Sequence, residues 1–465
     1  MKVEIAGYNL DKSLIDKIEN QQVTTPETIS AAYARISRSK KSVTELRQEA
    51  IRDVEKARKS NENIVFEMGH SSISEHAVFN FDLIGISRFL VEYVERSRLV
   101  SFTEKSQRYV TLKGDFVIPE EIVGKPEENI FSALIEQQNN LYTDLYKELK
   151  EYLQNKNCFN SKKDLANKAK EDARYVLSLA TQTQLGMTIN ARNLSNLLRR
   201  LDRLYLKEAT RLKTLLEKEA KAVSPSLIRY TQTSSYEKDS LPELSIRINQ
   251  SSDQNVKLIY YTPEAENKIL SALAFEQGLF DFEAAKDWTN TLNENEKAIL
   301  YKKLFSNMKS YHKCPRAFEL VYFLFEIKMS ASCFAQFKRH RICTILRSQY
   351  HPQQGYIIPA LIREINREKD FNTLMTETEE VFYQLENIKT GLGNYALTNA
   401  HKVSVLMQVN LRELYHFSRL RSDSHAQWEI REISQEIDAI VKSLLPHAAG
   451  CLMGKDQYEF SQRTD

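Results

Sequence analysis

The chain has 465 residues, 42% of them hydrophobic and 27% charged, the balance of a soluble globular protein with length for two or three domains. Its formal net charge of +3 leaves no footprint for bulk nucleic-acid binding, so basic residues matter only where they converge. With 12 glycines and neither G-x-G-x-x-G nor G-x-x-x-x-G-K-[ST], the sequence argues against glycine-cradled dinucleotide and P-loop sites.

The five cysteines, Cys158, Cys314, Cys333, Cys343 and Cys451, are odd in number, widely spaced and form no C-x-x-C. They fit reduced thiols, and a cytoplasmic location is expected. The opening MKVEIAGYNLDK has no apolar h-region, so no signal peptide is expected. No run of 18 apolar residues occurs, so no membrane span is expected.

The first segment, MKVEIAGYN, alternates like a strand. Residues 26–60 carry a helical period. The serines of Gly69–His76, followed by Glu75 and His76 ahead of an apolar run, read as a helix start. AVFNFDLIGISRFLVEYVERSR opens as a strand and continues as a helix whose last turn holds Arg96 and Arg98. Residues 125–165 and 166–221 read as two long amphipathic helical stretches, and 235–250 as a domain boundary. The most apolar stretch, Ala317–Ile327, reads as a buried helix.

The second half then repeats the first. VKLIYYTPEAENKIL echoes MKVEIAGYNLDKSLI, and Tyr311–Pro315 echoes the His70 region. Asn190 and Asn410, Arg192 and Arg412, and Leu194 and Leu414 match at an offset of 220, whereas His70 and His312 match at 242. Gapped matches in the same order predict two tandem domains, 1–240 and 250–465.

Several stretches could carry chemistry. Arg96, Arg98, Glu104, Ser106 and Arg108 crowd guanidiniums and a hydroxyl into one short polar stretch, which suits a phosphate. Arg339–His340–Arg341 follows Gln336, an amide beside a guanidinium that could read a base. Taken alone, each is equally a solvated basic surface. His70, Glu75 and His76 lack the spacing of a helical H-E-x-x-H, and no metal site is expected. Cys343 lies near His340 without an orienting acid, a poor nucleophile arrangement.

RSRLVSFTEKSQRYV, preceded by GHSSISEHAVFNF and followed by EDARYVL and NAR, resembles the flavin-dependent thymidylate synthases. Their hallmark is R-H-R, seven residues, then Ser. The second half supplies R-H-R itself and NLRELYHFSRLRSDSHAQWEIRE. The resemblance implies an α/β (α+β) fold in which each domain is a mixed sheet flanked by long helices. It further implies FAD as cofactor, NADPH as reductant, methylenetetrahydrofolate as carbon donor, and dUMP converted to dTMP. Family members are homotetramers, so a tandem chain would form a homodimer, a pseudo-tetramer.

Carried over residue by residue, the family pattern is split. The nucleotide loop E-x-S-x-R is present as Glu104, Ser106, Gln107 and Arg108, and the D-A-R arginine as Arg174. The second half has Gln349 in place of the serine and Asn394 in place of Arg174. Conversely, Gln336, His340 and the ring-polarising Arg421 stand in the second half, where the first has Tyr93, Ser97 and Leu201. The resemblance assigns catalysis to Arg421, and substrate binding to Gln336, Arg339, Glu104, Ser106, Gln107, Arg108 and Arg174. It assigns flavin binding to Arg339, His340, Arg341, Ser72, Glu75, Asn190, Arg192, Asn410, Arg412 and His416. Ala317 is taken as the counterpart of Glu75, which favours one composite flavin pocket. Two other readings stand beside dTMP synthesis: a flavoenzyme modifying C5 of another pyrimidine nucleotide, and a degenerate nucleotide-binding homologue without activity.

Overall fold

The computed structural model describes residues 1–11, 25–109, 114–157, 159, 161–239, 254–278 and 281–458. Most of the expected boundary at 235–250 lies outside them. Two compact units emerge: Met1–Ile248 with Ile358–Asn399, and Asn249–Ile357 with Ala400–Asp465.

Unit 1 is built on a four-stranded sheet of order β1-β2-β4-β3. Its strands are β1 (Lys2–Tyr8), β2 (Val78–Ser87), β3 (Ser101–Glu104) and β4 (Gln182–Asn190). Every neighbouring pair is antiparallel. The resemblance implied a mixed sheet; here strands running the same way, such as β1 and β4, are always separated by an opposite one. Period-2 burial builds the core face: Phe79, Phe81 and Leu83 of β2 and Leu185, Met187 and Ile189 of β4 point inward.

Through Val223, the α-helices of unit 1 are α1 (Glu27–Arg35), α2 (Val43–Arg52), α3 (Val54–Glu62), α4 (Arg88–Val94), α5 (Pro126–Lys156), α6 (Lys162–Ala173), α7 (Ala191–Asp202) and α8 (Lys207–Val223). The stretch 166–221, expected to be helical throughout, is interrupted by β4. QTQLGMTIN alternates outward and inward, and that pattern overrides the helical period on either side. Helix α4 stops at Val94, so Arg96 and Arg98 lie beyond its last turn rather than on it. The presumed helix start near His70 is a 3-10 turn, Ser71–His76.

The segment Ile358–Asn399 comes from the second repeat in chain order but packs within unit 1. Its helix Glu368–Ile388 buries Phe371, Leu374, Met375, Phe382 and Leu385. Gln138 of α5 donates to Thr378 Oγ1 at 3.1 Å and to the Ala396 carbonyl at 3.0 Å, all buried. At the end of this segment, Ser178 and Thr398 form an antiparallel bridge. Leu179 N donates to Leu397 O at 2.7 Å and Asn399 N to Leu177 O at 2.9 Å. Ser178 thus faces its own counterpart 220 residues on, and the two flanking pairs are reciprocal, the signature of an isologous contact.

Unit 2 repeats the sheet as β5-β6-β8-β7, with β5 (Val256–Tyr261), β6 (Tyr322–Ser330), β7 (Thr344–Arg347) and β8 (Lys402–Asn410), again all antiparallel. The apolar run at 317–327, expected as a helix, is a 3-10 turn over Arg316–Leu320 followed by β6. Phe323, Phe325 and Ile327 are fully buried on one face, and a short aromatic run bounded by a turn is read equally well by either period. The helices are α9 (Ala265–Glu276), α10 (Phe282–Thr291), α11 (Glu294–Phe305), α12 (Ala331–Phe337), α13 (Leu411–Arg421) and α14 (Trp428–Leu444). No described helix is long and apolar enough to cross a membrane.

The strand-to-helix joints that precede the arginine motifs are built alike. Ser87 caps α4 through Leu90 N at 3.0 Å, and Ser330 caps α12 through Cys333 N at 3.0 Å. A buried glutamate grips each serine at both its N–H and its hydroxyl: Glu208 for Ser87 and Glu429 for Ser330. The main-chain contacts are 2.8 and 2.7 Å.

Candidate active site

In unit 1, β3 ends at Glu104 and delivers the polar loop to the sheet edge. Lys105 N donates to Gln184 O at 2.9 Å, which fixes the loop's exit. Arg88, at the start of α4, donates to both oxygens of Glu104 at 3.0 and 2.9 Å, and Thr183 Oγ1 reaches the same carboxylate at 3.3 Å. Glu104 is therefore a buried anchor for the loop. Ser106 Oγ accepts from Arg108 N at 3.2 Å, which tightens the turn. Arg108 Nε lies 2.7 Å from Glu171 Oε2 on α6.

Asn399 ties the cluster together. Its Nδ2 donates to Gln107 Oε1 at 3.1 Å and to the Arg174 carbonyl at 2.9 Å. Arg174 is 6% exposed. Its Nε and Nη2, with Gln107 Nε2, are buried without a hydrogen-bond partner. Burial lowers the guanidinium's pKa; Glu171 and Tyr175 oppose that shift, while Arg108 and Arg88 add to it. Buried N–H donors left unmade cost about 1–3 kcal/mol each, and this cluster holds three such nitrogens. The expected residues Glu104, Ser106, Gln107, Arg108 and Arg174 thus fall in one place.

The second set converges in unit 2. His340 is 4% exposed, and its Nε2 accepts from Arg421 Nε at 2.8 Å. Arg421 Nη2 donates to the Gln336 carbonyl at 3.1 Å, while the Gln336 Nε2 is buried without a partner. Glu413 Oε1 stands 3.7 Å from His340 Nδ1, and Phe417 packs its ring edge-on against the imidazole at 4.6 Å. Burial, then the Arg421 cation and His416, hold His340 well below the ordinary histidine range. Burial pushes the Glu413 carboxyl up to about 7, against the pull of Arg412. Arg339 is exposed and Arg341 half-buried on either side of His340.

The remaining expected flavin residues sit at the starts of α7 and α13. Asn190 and Asn410 cap these helices through Asn193 N at 2.9 Å and Glu413 N at 2.8 Å. Arg192 pairs with Glu75, and Ser72 is exposed on the same 3-10 turn. Arg412 pairs with Glu319 at 2.7 Å. The strand register makes these two pairs equivalent: Val78 lies opposite Asn190, and Tyr322 opposite Asn410. The counterpart of Glu75 is therefore Glu319, not Ala317, and both units keep the pair. The register differs by one residue at the other end of β2, where Gly85 (φ +71°) forms a bulge between Ile84 and Ile86.

Each unit lacks the other's set. By register, Glu104 corresponds to Arg347, whose guanidinium lies over the Tyr350 ring at 4.4 Å; Arg88 corresponds to Ala331. His340, Glu413, His416 and Arg421 correspond to Ser97, Asn193, Asn196 and Leu201. In unit 1 the neighbouring Arg200 donates to Ser97 Oγ instead, and burial, with the nearby Arg96 cation, lowers its pKa to about 10.

Three contributors lie outside the motif reading. Arg88 begins a helix, where an arginine is unremarked. Asn399 had a signal, a polar residue where the repeat predicts Leu179; Glu413 differs from its counterpart Asn193 only in charge. None of the described cysteines is in a disulfide, and Cys314, Cys333 and Cys343 are buried. Burial pushes the Cys314 thiol up to about 12, which disarms it as a nucleophile. Cys158 lies outside the described residues.

The family model described as thymidylate synthase complementing protein matches residues 19–226 and 257–447. UPF0159 protein Ta1429 of Thermoplasma acidophilum is 24% identical over 442 residues, covering 85% of this chain and 88% of its own length. A UPF0159 protein of Chlamydia muridarum is 22% identical, over 82% of this chain and 78% of its own. A flavin-dependent thymidylate synthase of Clostridium tetani is 33% identical over 210 residues, covering 44% of this chain and 82% of its own length. A crystal structure of thymidylate synthase X from Helicobacter pylori with FAD and dUMP aligns with 49% of this chain and all of that one, at 21% identity and a TM-score of 0.31. With the family model matched in both repeats, the chain belongs to the thymidylate synthase complementing protein family, as a tandem of two diverged domains.

Proposed function

We propose that this chain is a flavin-dependent thymidylate synthase of the cytoplasm. It would methylate C5 of dUMP to dTMP with methylenetetrahydrofolate as carbon donor and NADPH as reductant. One nucleotide would be served by the unit 1 set and the unit 2 set together, drawn from one chain or from two copies in a homodimer. The observation that carries this reading is the complementary split. Arg174 has no basic counterpart at its own position, Arg108 has only a histidine, His351, and neither His340 nor Arg421 has a basic one. Random decay would not leave one full set.

The roles follow from the chemistry of each group. Arg174 and Gln107 offer buried donors that phosphate oxygens would satisfy, with Arg108 and the Ser106 hydroxyl beside them. Glu104 holds the loop through Arg88. Gln336 and Arg339 would contact the nucleotide from the other set. Arg421 is a fixed guanidinium that would stabilise negative charge developing on the pyrimidine ring, and so favour C5 as a nucleophile.

FAD fits the remaining donors. Arg339, Arg341, Arg192 and Arg412 offer guanidiniums for a pyrophosphate. Ser72, Glu75, Asn190, Asn410, His340 and His416 offer polar contacts for ribose and ring edges. Bound flavin would supply the redox chemistry, and the protein position and electrostatics. Because both units keep a Glu–Arg pair, that pair does not choose between one flavin per chain and two.

Expression in cells lacking thymidylate synthase tests the proposal: growth without thymidine is expected. Soluble, flavin-loaded protein that fails to restore growth would contradict it. A second reading, a flavoenzyme acting at C5 of another pyrimidine nucleotide, is favoured by one finding. The two relatives quoted above that align over more than four fifths of this chain are named only as UPF0159 proteins. Mass spectrometry of products from dUMP and from UMP separates the two.

A further inference from the structure

His340, Glu413 and His416 bring their ligand atoms within 4.8 Å of one another, the spacing of a metal site. The hydrogen bonding argues for another use. Arg421 is always a donor, so its Nε–H at 2.8 Å makes His340 Nε2 an acceptor. A neutral imidazole accepting at Nε2 carries its proton on Nδ1. That ring has no second lone pair to give a cation. The atom facing Nδ1 is Glu413 Oε1, at 3.7 Å, on a side chain 11% exposed.

We propose that Glu413 is a positioning residue: its carboxylate, 3.7 Å from Nδ1 and so an electrostatic partner rather than a hydrogen-bonded one, steadies the imidazole whose Nε2 accepts from Arg421, and through it holds the Arg421 guanidinium in place. The order of the chain is Glu413, His340, Arg421. Glu413 and Arg421 occupy opposite ends of α13, while His340 follows α12, so the imidazole braces one helix across two of its turns. Phe417 holds the ring from the side, and Arg421 is tied a second time at the Gln336 carbonyl. Unit 1 has Ser97, Asn193 and Leu201 at these positions, so the device belongs to unit 2 alone.

The charged and titratable groups around it are few. His340 meets Arg421 and His416. Glu413 meets Arg412. His416 in turn meets Arg419, Arg421 and Lys313. The ionised carboxylate attracts the Nδ1–H more strongly than the neutral acid does, so the brace tightens as Glu413 loses its proton near neutral pH.

The inference rests on the proposed activity only for what Arg421 acts upon; the brace itself needs no nucleotide. The test is histidine-selective 15N NMR of the full-length protein without ligand, with His340 assigned by His340→Gln. The expected result is a single His340 tautomer, Nδ1–H with an accepting Nε2. Its Nδ1 proton should shift with a midpoint near neutral pH. Glu413→Gln removes the charge, so the tautomer should persist while the midpoint disappears. Glu413→Ala should keep the tautomer that Arg421 sets, shift and broaden the Nδ1 proton signal, and weaken dUMP binding roughly tenfold. Wild-type signals in Glu413→Ala, or a midpoint that survives in Glu413→Gln, would overturn the proposal; the second outcome decides it even where the alanine variant does not fold. Absence of dUMP binding by the wild type would count against the proposed function and leave the spectra to judge the brace.

Discussion

Arg421 and Arg200 offer a comparison within one chain. Both are guanidiniums near the end of a repeat-related helix, and both contact the residue at the centre of an R-x-R: His340 for one, Ser97 for the other. Only Arg421 sits beside a Gln336 amide with buried capacity to spare. Losing a charged hydrogen bond costs about 1.5–3 kcal/mol, or roughly 10- to 100-fold in affinity. Arg421→Ala is therefore expected to weaken dUMP binding by about that factor in titration calorimetry, and Arg200→Ala to leave it within about twofold. Equal losses would mean that the first repeat's arginine is also in use. Glu413 adds a pH dependence. Its folded pKa of about 7 lies above the ordinary 4.5, so the folded state holds that proton more tightly. Its contribution to stability is complete below about 4.5 and is lost as pH rises through 7. Glu413→Gln should flatten the fall in urea midpoint between pH 5 and 8; an unchanged slope would place the titration elsewhere. Glu413 and Asn399 were hard to read in the sequence because polar residues at a helix start or strand entry are common for local reasons. The repeat marks Asn399 as an oddity, but only the partners, His340 and Gln107, show what each residue contacts, and those are distant in the chain.

The elements that position the site are two copies of one joint, strand to capped helix, pinned by Glu208 or Glu429. Both carboxylates are buried, and removing one strands a buried serine N–H and hydroxyl. Glu429→Ala is expected to lower stability by about 1–3 kcal/mol, a fall in Tm of several degrees for a domain of this size, read by calorimetry. A loss below about 0.5 kcal/mol would show that the joint stands on its serine cap alone. The duplication was legible because β4–α7 and β8–α13 match without a gap. The counterpart of Glu75 was not: the His70/His312 offset of 242 points to Ala317, two residues short of the offset of 244 that the strand register sets, and the Gly85 bulge then shortens the register offset by one inside a strand that looks continuous. The helix expected at 317–327 failed for a related reason: Phe323, Phe325 and Ile327 bury one face of a strand, yet a short apolar run satisfies a helical period as well. β4 was hidden inside 166–221 by the strong helical patterns flanking it.

For the whole molecule, duplication would let one set of residues be lost from each repeat without loss of the proposed activity. Once two copies are joined, either may discard the set the other keeps, and the chain retains one of each. Flavin content follows the same logic: the proposal expects one FAD per chain by absorbance against protein concentration, and two would undercut a single composite flavin pocket. Nucleotide stoichiometry tests the account most directly, measured by titration calorimetry of dUMP into flavin-loaded full-length protein and its Arg174→Ala and Arg421→Ala variants. The account expects one dUMP per chain in the wild type, with binding weakened at every site by either substitution alone. Two dUMP per chain, or a variant that keeps half its sites at full affinity, would contradict it.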